Sequence, residues 1–319
     1  MITLIKHFII SYSTAKQLSR KRGFLNFLNV FCIRFFYAFH FVRQKFNKQT
    51  KVLSTKDVEN IFTEKNFTSN FIVKDLCEKG FNDKLILKSD LLNEIYNEIS
   101  TQNVTISYKG LKDKDLFHKS LNNKDNLEAI VDKSFKYNLS HVSLSIDMNK
   151  AKNIKKVATS KYFFDVANSY LGTNNISVSS LCYVSNPVKI TEKEKKDNAQ
   201  YYHYDNDFKK FFKVFIYLND VDINAGPHSY IQYSHKKKLF KHIISKRIND
   251  DEIEDTYGSK NIITFDRSKG SVIFEDTFGL HKGNYPKTNN RIVLILIYGI
   301  GEGIGIYDNS IKNPNAFNL

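Results

Sequence analysis

The feature that most constrains the fold is a series of short apolar runs in the second half of the chain. Each run is rich in β-branched and aromatic residues, and turn-forming residues such as Gly, Asn and Pro separate it from the next. Many short strands punctuated in this way are typical of a sandwich or a barrel. The runs span 176–184, 211–218, 230–233, 261–265, 271–274 and 291–298.

Two helical patterns precede these runs. Residues 85–99 and 157–171 place apolar side chains at helical spacing, and Gly172 is a natural stop for the second pattern. Helices first and strands later predict an α+β chain, in which helices pack outside a β core of about residues 176–300.

The positive charge of the chain is concentrated near its N-terminus. The net charge is +15, yet residues 1–56 contain eleven Lys or Arg and no Asp or Glu. The other residues carry 37 basic and 33 acidic side chains, an excess of only +4. We therefore divide the chain into a basic N-terminal segment, 1–56, and a main domain, 57–319. The weak charge of the main domain argues against nucleic-acid binding.

Within the basic segment, residues 24–42 show an amphipathic helical pattern rather than a clean transmembrane span. Asn29, Arg34 and Tyr37 share its polar side, and the opposite side is mostly aromatic. One interpretation is a helix that docks its aromatic face on the main domain. The other is a helix that, with the basic residues of 20–48, lies in an anionic membrane surface.

The cysteines and the first residues of the chain indicate the cellular compartment of the protein. The three cysteines include no CxxC pair, which argues against a disulfide framework or a thiolate metal site and fits a reducing compartment. The apolar first dozen residues lack a clear cleavage site, so we expect no secretory signal. We expect a cytoplasmic protein that makes peripheral membrane contact under the second interpretation above, with organellar targeting as a minor alternative.

His203-Tyr204-Asp205, followed 78 residues later by His281, is the pattern that points most directly to chemistry. Residues two apart on a strand point to the same face, so His203 and Asp205 can reach one ion while Tyr204 turns away. Two imidazoles and one carboxylate are what a non-haem Fe(II) centre takes from a protein when coordination positions must stay open.

Arg291 comes ten residues after His281 and begins the last apolar run. Alternation along that run places it on the same face as Val293, Ile295 and Ile297. A guanidinium pointing inward beside the metal would suit the far carboxylate of a bound 2-oxo acid.

About a third of the chain, 200–298, resembles the phytanoyl-CoA dioxygenase family of Fe(II)- and 2-oxoglutarate-dependent oxygenases. The resemblance implies a double-stranded β-helix, a jelly-roll or cupin-like core with flanking helices. It implies that His203, Asp205 and His281 bind Fe(II), and that Arg291 binds the C5 carboxylate of 2-oxoglutarate, which is consumed together with O2. The residues that carry it are 200–207, 213–222, 224–228, 233–235, Gly270, 276–277, 281–283 and Arg291.

Four further residues are weaker candidates for the site. Thr277 and Lys213 are candidate cofactor contacts, and Lys213 is either buried at the site or a surface lysine with a half-buried stem. Gln200 and Tyr202 are candidate substrate contacts. Three more histidines lie nearby in sequence, and the last two, among lysines, are expected on a solvated helix face; these are His228, His235 and His242.

The chain departs from the family at Tyr233-Ser234-His235, where the common pattern is Gly-Ser-His. We expect the departure to affect only local loop geometry. Asp205 is present, whereas halogenases of this type lack the metal carboxylate, so halogenation is disfavoured.

These observations favour an enzyme that hydroxylates a small or carrier-linked metabolite. Desaturation, ring closure and epimerisation remain alternatives, because they depend on how the substrate is placed rather than on the ligands. A third alternative is a catalytically silent jelly roll that binds a ligand or docks at a membrane.

Overall fold

A computed structural model describes residues 2–19, 23–39, 61–64, 67–109, 114–245, 247–301 and 310–312. The expected boundary between residues 56 and 57 lies outside these ranges. The helices are α1 (Ile2–Ser19), α2 (Gly23–Phe35), α3 (Ser69–Glu78), α4 (Ser89–Glu98), α5 (Lys114–Ser120), α6 (Leu127–Lys136), α7 (Lys152–Ala158), α8 (Lys161–Leu171), α9 (Glu192–Asp197), α10 (Phe240–Ile244) and α11 (Asp250–Tyr257). The strands are β1 (Phe81–Ile86), β2 (Val104–Lys109), β3 (His141–Ile146), β4 (Ile176–Ser185), β5 (Phe211–Tyr217), β6 (His228–Ile231), β7 (Ile262–Phe265), β8 (Ser271–Glu275), β9 (His281–Gly283), β10 (Arg291–Ile300) and β11 (Ile311–Lys312).

Two antiparallel sheets form the core. The larger has the strand order β1-β8-β5-β10-β4-β3-β2, with β11 paired to β4, and the smaller has the order β7-β6-β9. Inward-facing side chains of both sheets meet in one apolar cluster that includes Phe215, Tyr230, Phe265 and Val293. The core is therefore a sandwich, and the space between its sheets is where a site can be enclosed.

The outer face of the larger sheet is covered by helices. The Phe163 ring of α8 stacks on Phe274 with centroids 5.4 Å apart, and the Tyr298 hydroxyl donates to the carbonyl of Ala158 at 2.7 Å. Alternate residues of β10, including Leu294 and Leu296, pack in this layer. Because side chains alternate along a strand, the other residues of β5 and β10 face the smaller sheet.

The structure differs from the sequence prediction in the first half of the chain. Strands β1, β2 and β3 join the larger sheet although they precede the expected β core. The 85–99 pattern is helical only from Ser89, since its first residues end β1. The 157–171 pattern is two helices, because the Ser160 side chain accepts from the Phe163 N–H and begins a new helix. Gly172 ends that helix in the left-handed conformation, as predicted.

Helices α1 and α2 pack against each other with opposed chain directions. The His7 ring stacks on Phe35 at 5.2 Å, and Tyr12 meets Phe27 edge-on at 5.4 Å. Most rings of the aromatic face of α2 thus pack on α1, so the predicted docking of this face on the main domain is confirmed at Phe39 and not for the rings that pack on α1.

The helix pair nevertheless contacts the main domain. The Asn206 amide donates to the carbonyl of Ile33 at 2.5 Å, and Arg34 lies 3.4 Å from Asp207. The Phe39 ring, just after α2, stacks on Phe240 at 6.3 Å. The contacts are therefore made by the end of α2 and by its polar side.

None of the described helices combines the length and the hydropathy that crossing a bilayer requires.

Candidate metal centre

The segment that carries His203 and Asp205 is held by backbone hydrogen bonds on both sides. His203 and His281 exchange N–H···O=C bonds of 2.9 and 2.8 Å, and the Asp205 N–H donates to the carbonyl of Thr277 at 2.8 Å. Tyr202 exchanges a similar pair of bonds with Ile248. An extended segment thereby joins β9, and the two histidines that are 78 residues apart in sequence become neighbours.

The three predicted ligands converge on one point. One donor atom each from His203, Asp205 and His281 lies within 4.8 Å of the other two. Nε2 of His281 is 3.4 Å from the Asp205 carboxylate, and Nε2 of His203 is 3.9 Å from it. Among the described residues, no other group of His, Cys, Asp and Glu side chains converges in this way.

Both imidazoles are oriented by the backbone. Nδ1 of His203 lies 3.0 Å from the carbonyl of Tyr201, and Nδ1 of His281 lies 2.9 Å from the carbonyl of Gly279. A carbonyl only accepts, so in the neutral rings Nδ1 carries the proton and Nε2 presents its lone pair to the centre. Such outer hydrogen bonds are what fixes metal-binding histidines in other proteins. The donor set therefore fits a divalent iron.

Electrostatics keep two of the three groups in the form that binds a cation. Burial, together with the nearby His281 and Arg247, holds the pKa of His203 well below its usual value. Burial alone would raise the pKa of Asp205, but Lys213 and His281 hold it well below its usual range. Burial would lower the pKa of His281, and Asp205 more than offsets this, so the net shift is upward. Of the three groups, only His281 has its pKa shifted towards the protonated form, and the neighbouring Asp205 is the main cause.

Lys213 faces inward on β5, on the face that carries Phe215 and Tyr217. Its ammonium group lies 2.7 Å from one Asp205 oxygen and 3.3 Å from Asp207. Of the two predicted positions, buried contact or surface, the structure shows the buried one. Its partner is a candidate metal ligand.

Arg291 lies on the predicted face of β10, with Val293, Ile295 and Ile297 along the same cavity wall. Its guanidinium makes two long contacts of 3.4 Å, to the carbonyl of Asn284 and to the Ser185 hydroxyl. No carboxylate pairs with it within the part of the chain that the structure describes, and burial lowers its pKa. A buried, incompletely paired guanidinium beside the triad is suited to an anionic ligand.

Gly283 makes room for this guanidinium. A Cβ atom at position 283 would lie 2.5 Å from Nη2 of Arg291. The glycine two residues after His281 is thus needed for the position of Arg291, because any larger residue would push the guanidinium away.

The triad and Arg291 line one cavity of about 460 Å³. Its apolar wall includes Leu181, Phe215 and Ile295. Among the weaker candidates, only Lys213 lines it. Thr277 is fully buried beside the triad, its carbonyl bonded to the Asp205 N–H, and Tyr202 belongs to a small separate core. The Gln200 side-chain oxygen is buried without a hydrogen-bond partner, also outside the cavity lining.

The structure adds a buried pair that the sequence did not single out. His228 lines the cavity, and its Nε2 lies 3.0 Å from Glu275, whose side chain is fully buried. Glu275 also lies 3.9 Å from Nδ1 of His281. The sequence feature that could have revealed this pair is the acidic Glu275 at an inward-facing position of β8. His228 therefore packs beside the triad but is not one of the three converging candidate ligands.

The expectation that His235 and His242 lie on a solvated face is wrong. Both are buried: His235 lies 3.2 Å from the carbonyl of Cys77, and His242 contacts Glu252 and Tyr257. The lysine side chains near them in sequence do not point in the same direction as these two histidines. Two cavity residues, Arg34 of α2 and Arg247 of the loop before α11, had no signal in the sequence.

Comparison with known proteins gives the family. The sequence model of the phytanoyl-CoA dioxygenase family matches residues 111–290, more than half of the chain. The chain belongs to the phytanoyl-CoA dioxygenase family. It is an Fe(II)- and 2-oxoglutarate-dependent oxygenase, with the two-histidine, one-carboxylate motif of such enzymes at its centre. None of the curated proteins is similar enough in sequence to count as a match.

Solved structures share the fold at low identity. The 2-oxoglutarate-dependent epimerase SnoN from nogalamycin biosynthesis superposes with a TM-score of 0.50 and 10% identity, covering 75% of this chain and 87% of SnoN. HygX from Streptomyces hygroscopicus gives 0.45 and 12%, covering 72% and 86%. The carbocyclase SnoK from nogalamycin biosynthesis gives 0.46 and 13%, covering 80% and 91%. The superposition on SnoN supports the double-stranded β-helix that the sequence predicts for this family member.

Proposed function

We propose that this oxygenase hydroxylates an unactivated C–H bond of a small or carrier-linked metabolite. In that reaction one oxygen atom of O2 enters the substrate, and the other enters succinate as 2-oxoglutarate loses CO2. The observation that carries the proposal is the convergence of His203, Asp205 and His281 beside a buried, incompletely paired Arg291 in one cavity.

Each residue has a defined part in this proposal. His203 and His281 bind Fe(II) through Nε2 and Asp205 binds it through a carboxylate oxygen, which leaves three positions for the reactants. Arg291 binds the C5 carboxylate of 2-oxoglutarate. Lys213 holds an oxygen of Asp205 at 2.7 Å and so fixes the orientation of that carboxylate. When bound, the iron and 2-oxoglutarate supply the activation of dioxygen.

The cavity walls exclude water from the reacting atoms. Phe215, Val293, Ile295 and Ile297 line the cavity and expose at most 6% of their surface. Apolar walls of this kind protect a reactive centre from side reactions and hold the target C–H bond in place.

Two alternatives use the same residues. Desaturation, cyclisation or epimerisation would follow from a different placement of the substrate in the same cavity. A silent binding protein is disfavoured, because it would not need three converging metal ligands.

Product analysis tests the reaction. We expect 2-oxoglutarate consumption and succinate release with Fe(II), and a product that gains one oxygen atom from isotopically labelled O2. Loss of two hydrogens from the substrate would indicate desaturation or ring closure, and an unchanged mass would indicate epimerisation. Absence of succinate under every condition, with iron bound, would contradict an oxygenase of any kind.

We also propose that the N-terminal helices contact an anionic membrane surface. These helices expose large apolar side chains, some of them at the rim of the contact between α1 and α2, and residues 1–56 are basic and free of acids. Apolar side chains together with basic flanks are what a helix at an anionic bilayer surface needs. The exposed side chains are Leu4, Ile5, Phe8, Ile9, Tyr12, Phe24, Leu28 and Phe36.

Vesicle sedimentation of the full chain tests this contact. We expect binding to vesicles of phosphatidylserine and phosphatidylcholine, and much weaker binding to phosphatidylcholine alone. Ile5→Glu with Ile9→Glu should abolish binding, whereas Ile223→Glu, equally exposed on the main domain, should not. Equal sedimentation of the two variants would refute the contact.

A further inference from the structure

A row of alternating charges runs from helix α2 to the metal centre. Nη2 of Arg34 lies 3.4 Å from one oxygen of Asp207, and the other oxygen of Asp207 lies 3.3 Å from the ammonium group of Lys213. That ammonium group donates to Oδ2 of Asp205 at 2.7 Å. Two cations and two anions thus alternate, and the last of them is the carboxylate predicted to bind Fe(II).

These charges are largely removed from water. None of the four side chains exposes more than 21% of its surface. In such surroundings a charged group keeps its position only while its oppositely charged partners keep theirs. The Asp205 oxygen that accepts from Lys213 also lies 3.4 Å from Nε2 of His281. A shift of the ammonium group would therefore turn the carboxylate at the point where the ligands converge.

A second contact fixes the end of α2 to the metal-binding segment. The last carbonyls of a helix have no partner within the helix, and the carbonyl of Ile33 accepts from the Asn206 side chain at 2.5 Å. The next two carbonyls of α2 accept from Ser11 and His7 of α1. The helix end that carries Arg34 is thus held both by α1 and by the residue that follows the metal carboxylate.

We propose that Asp207 is a positioning residue for the metal ligand Asp205, and that Arg34 extends this positioning to the N-terminal helices. Arg34 fixes the rotation of the Asp207 carboxylate. Asp207 in turn shares the ammonium group of Lys213 with Asp205 and so keeps the metal carboxylate in one orientation.

The inference rests on the proposed function, in which Asp205 binds Fe(II). Helices α1 and α2 lie outside the family match at 111–290. Metal binding in this chain therefore depends on a part of the molecule that the family match does not include.

Anaerobic calorimetric titration of the full chain with Fe(II), in the absence of 2-oxoglutarate, tests the positioning. Asp207→Asn keeps the shape of the side chain and removes its charge. We expect this change to weaken Fe(II) binding about tenfold, because loss of an outer partner of a metal ligand costs a site that much or more. Asp207→Glu keeps the charge and should recover part of the loss.

Arg34→Gln separates positioning from simple charge repulsion. A cation near the site repels Fe(II), so loss of the Arg34 charge alone would tighten Fe(II) binding. Positioning predicts the opposite, a several-fold weaker binding, and Arg34→Lys should bind Fe(II) more nearly like the wild type. Tighter or unchanged binding in Arg34→Gln would overturn the role of α2.

A double-mutant cycle tests whether Asp207 acts through Lys213. In a Lys213→Gln background, adding Asp207→Asn should weaken Fe(II) binding by much less than tenfold, because the ammonium group that Asp207 holds is gone. Equal losses in both backgrounds would mean that Asp207 acts on the metal through its charge alone, and would contradict the positioning.

Asp83→Asn is the matched control. The Asp83 side chain is as buried as that of Asp207, and its partner Arg267 lies 2.6 Å away, outside the cavity lining. Denaturant titration gives the stability that each change costs. We expect Fe(II) affinity to fall, and the visible absorption band of bound Fe(II) and 2-oxoglutarate to shift in wavelength, in Asp207→Asn and not in Asp83→Asn.

The outcomes separate the positioning from the proposed function. If the wild type binds Fe(II) and shows the band, while Asp207→Asn matches it in affinity and in band position, the positioning alone is overturned. If the wild type binds no Fe(II), the proposed function fails and the positioning fails with it.

Discussion

At the scale of single residues, the centre depends on how backbone carbonyls orient side chains. His203 and His281 each direct Nδ1 to the carbonyl two residues earlier, and so each presents Nε2 to Asp205. The sequence identified the three residues through their spacing and the family pattern. It could not give Arg34 or Glu275, because their partners lie far away in the chain: Arg34 contacts Asp207 at a separation of 173 residues.

Gly283→Ala tests the space that Arg291 needs. The added methyl group would lie 2.5 Å from the end of a flexible side chain, so the protein should fold while the guanidinium moves. We expect 2-oxoglutarate affinity to fall about tenfold or more with Fe(II) affinity unchanged, as measured by anaerobic titration.

A double-mutant cycle provides the control for this change. Arg291→Gln alone should lose at least as much affinity, and adding Gly283→Ala to it should have no further effect. Additive losses would mean that Gly283 acts on something other than Arg291.

Glu275 gives the metal-free protein a pH dependence of known sign. Burial raises the pKa of Glu275 to about 8 from an ordinary value of 4.5. The folded protein therefore keeps a proton that the unfolded chain has lost. The contribution of this retained proton to the free energy of unfolding is fully present below pH 4.5 and is lost as the pH rises towards 8.

Glu275→Gln should remove this contribution. We expect the free energy of unfolding of the wild type, relative to the variant, to fall by on the order of a few kcal/mol between about pH 5 and 8. Denaturant titrations in the presence of a chelator measure it. Glu254→Gln, at an exposed site on α11, should keep the wild-type profile. If Glu275→Gln also keeps that profile, the prediction is contradicted.

At the scale of elements, the β-branched and aromatic runs located six of the described strands from residue 176 onwards, but not the short β9 and β11. Arg291–Ile300 and Phe211–Tyr217 lie close to their predicted runs, and alternation gave the face of Arg291, whereas it left Lys213 open between the cavity and the surface. Strands β1 to β3 were missed because their runs are short and stand next to helices. Tyr233 has φ 70, so this position does require the left-handed conformation for which glycine is suited.

Helix α8 supports the sheet that carries Arg291. Phe163 is fully buried and stacks on rings of β8 and β10, Phe274 and Tyr298. Phe163→Ala should lower the free energy of unfolding by about 3–5 kcal/mol, measured by denaturant titration. Phe135→Ala, on an exposed side of α6, should change it by less than about 0.5 kcal/mol. Similar values for both would mean that α8 does not support the sheet.

At the scale of the whole molecule, two parts of the chain build one cavity. The β sandwich supplies the triad and Arg291, and α1 and α2 supply a polar wall with Arg34. Composition indicated that residues 1–56 were distinct, but it could not show where the helices α1 and α2 lie. The position of these two helices follows from individual contacts such as Asn206 to the carbonyl of Ile33, which no periodicity reveals.

The central claim is that one site binds both Fe(II) and 2-oxoglutarate, through the triad and Arg291. Anaerobic titration of the metal-free protein, followed by visible absorption, tests it most directly. We predict a weak metal-to-ligand band that needs both Fe(II) and 2-oxoglutarate. The band should be absent in His281→Ala and should appear in Arg291→Gln only at 2-oxoglutarate concentrations at least about tenfold higher. A wild-type protein without the band, or an equal band in His281→Ala, would contradict the account.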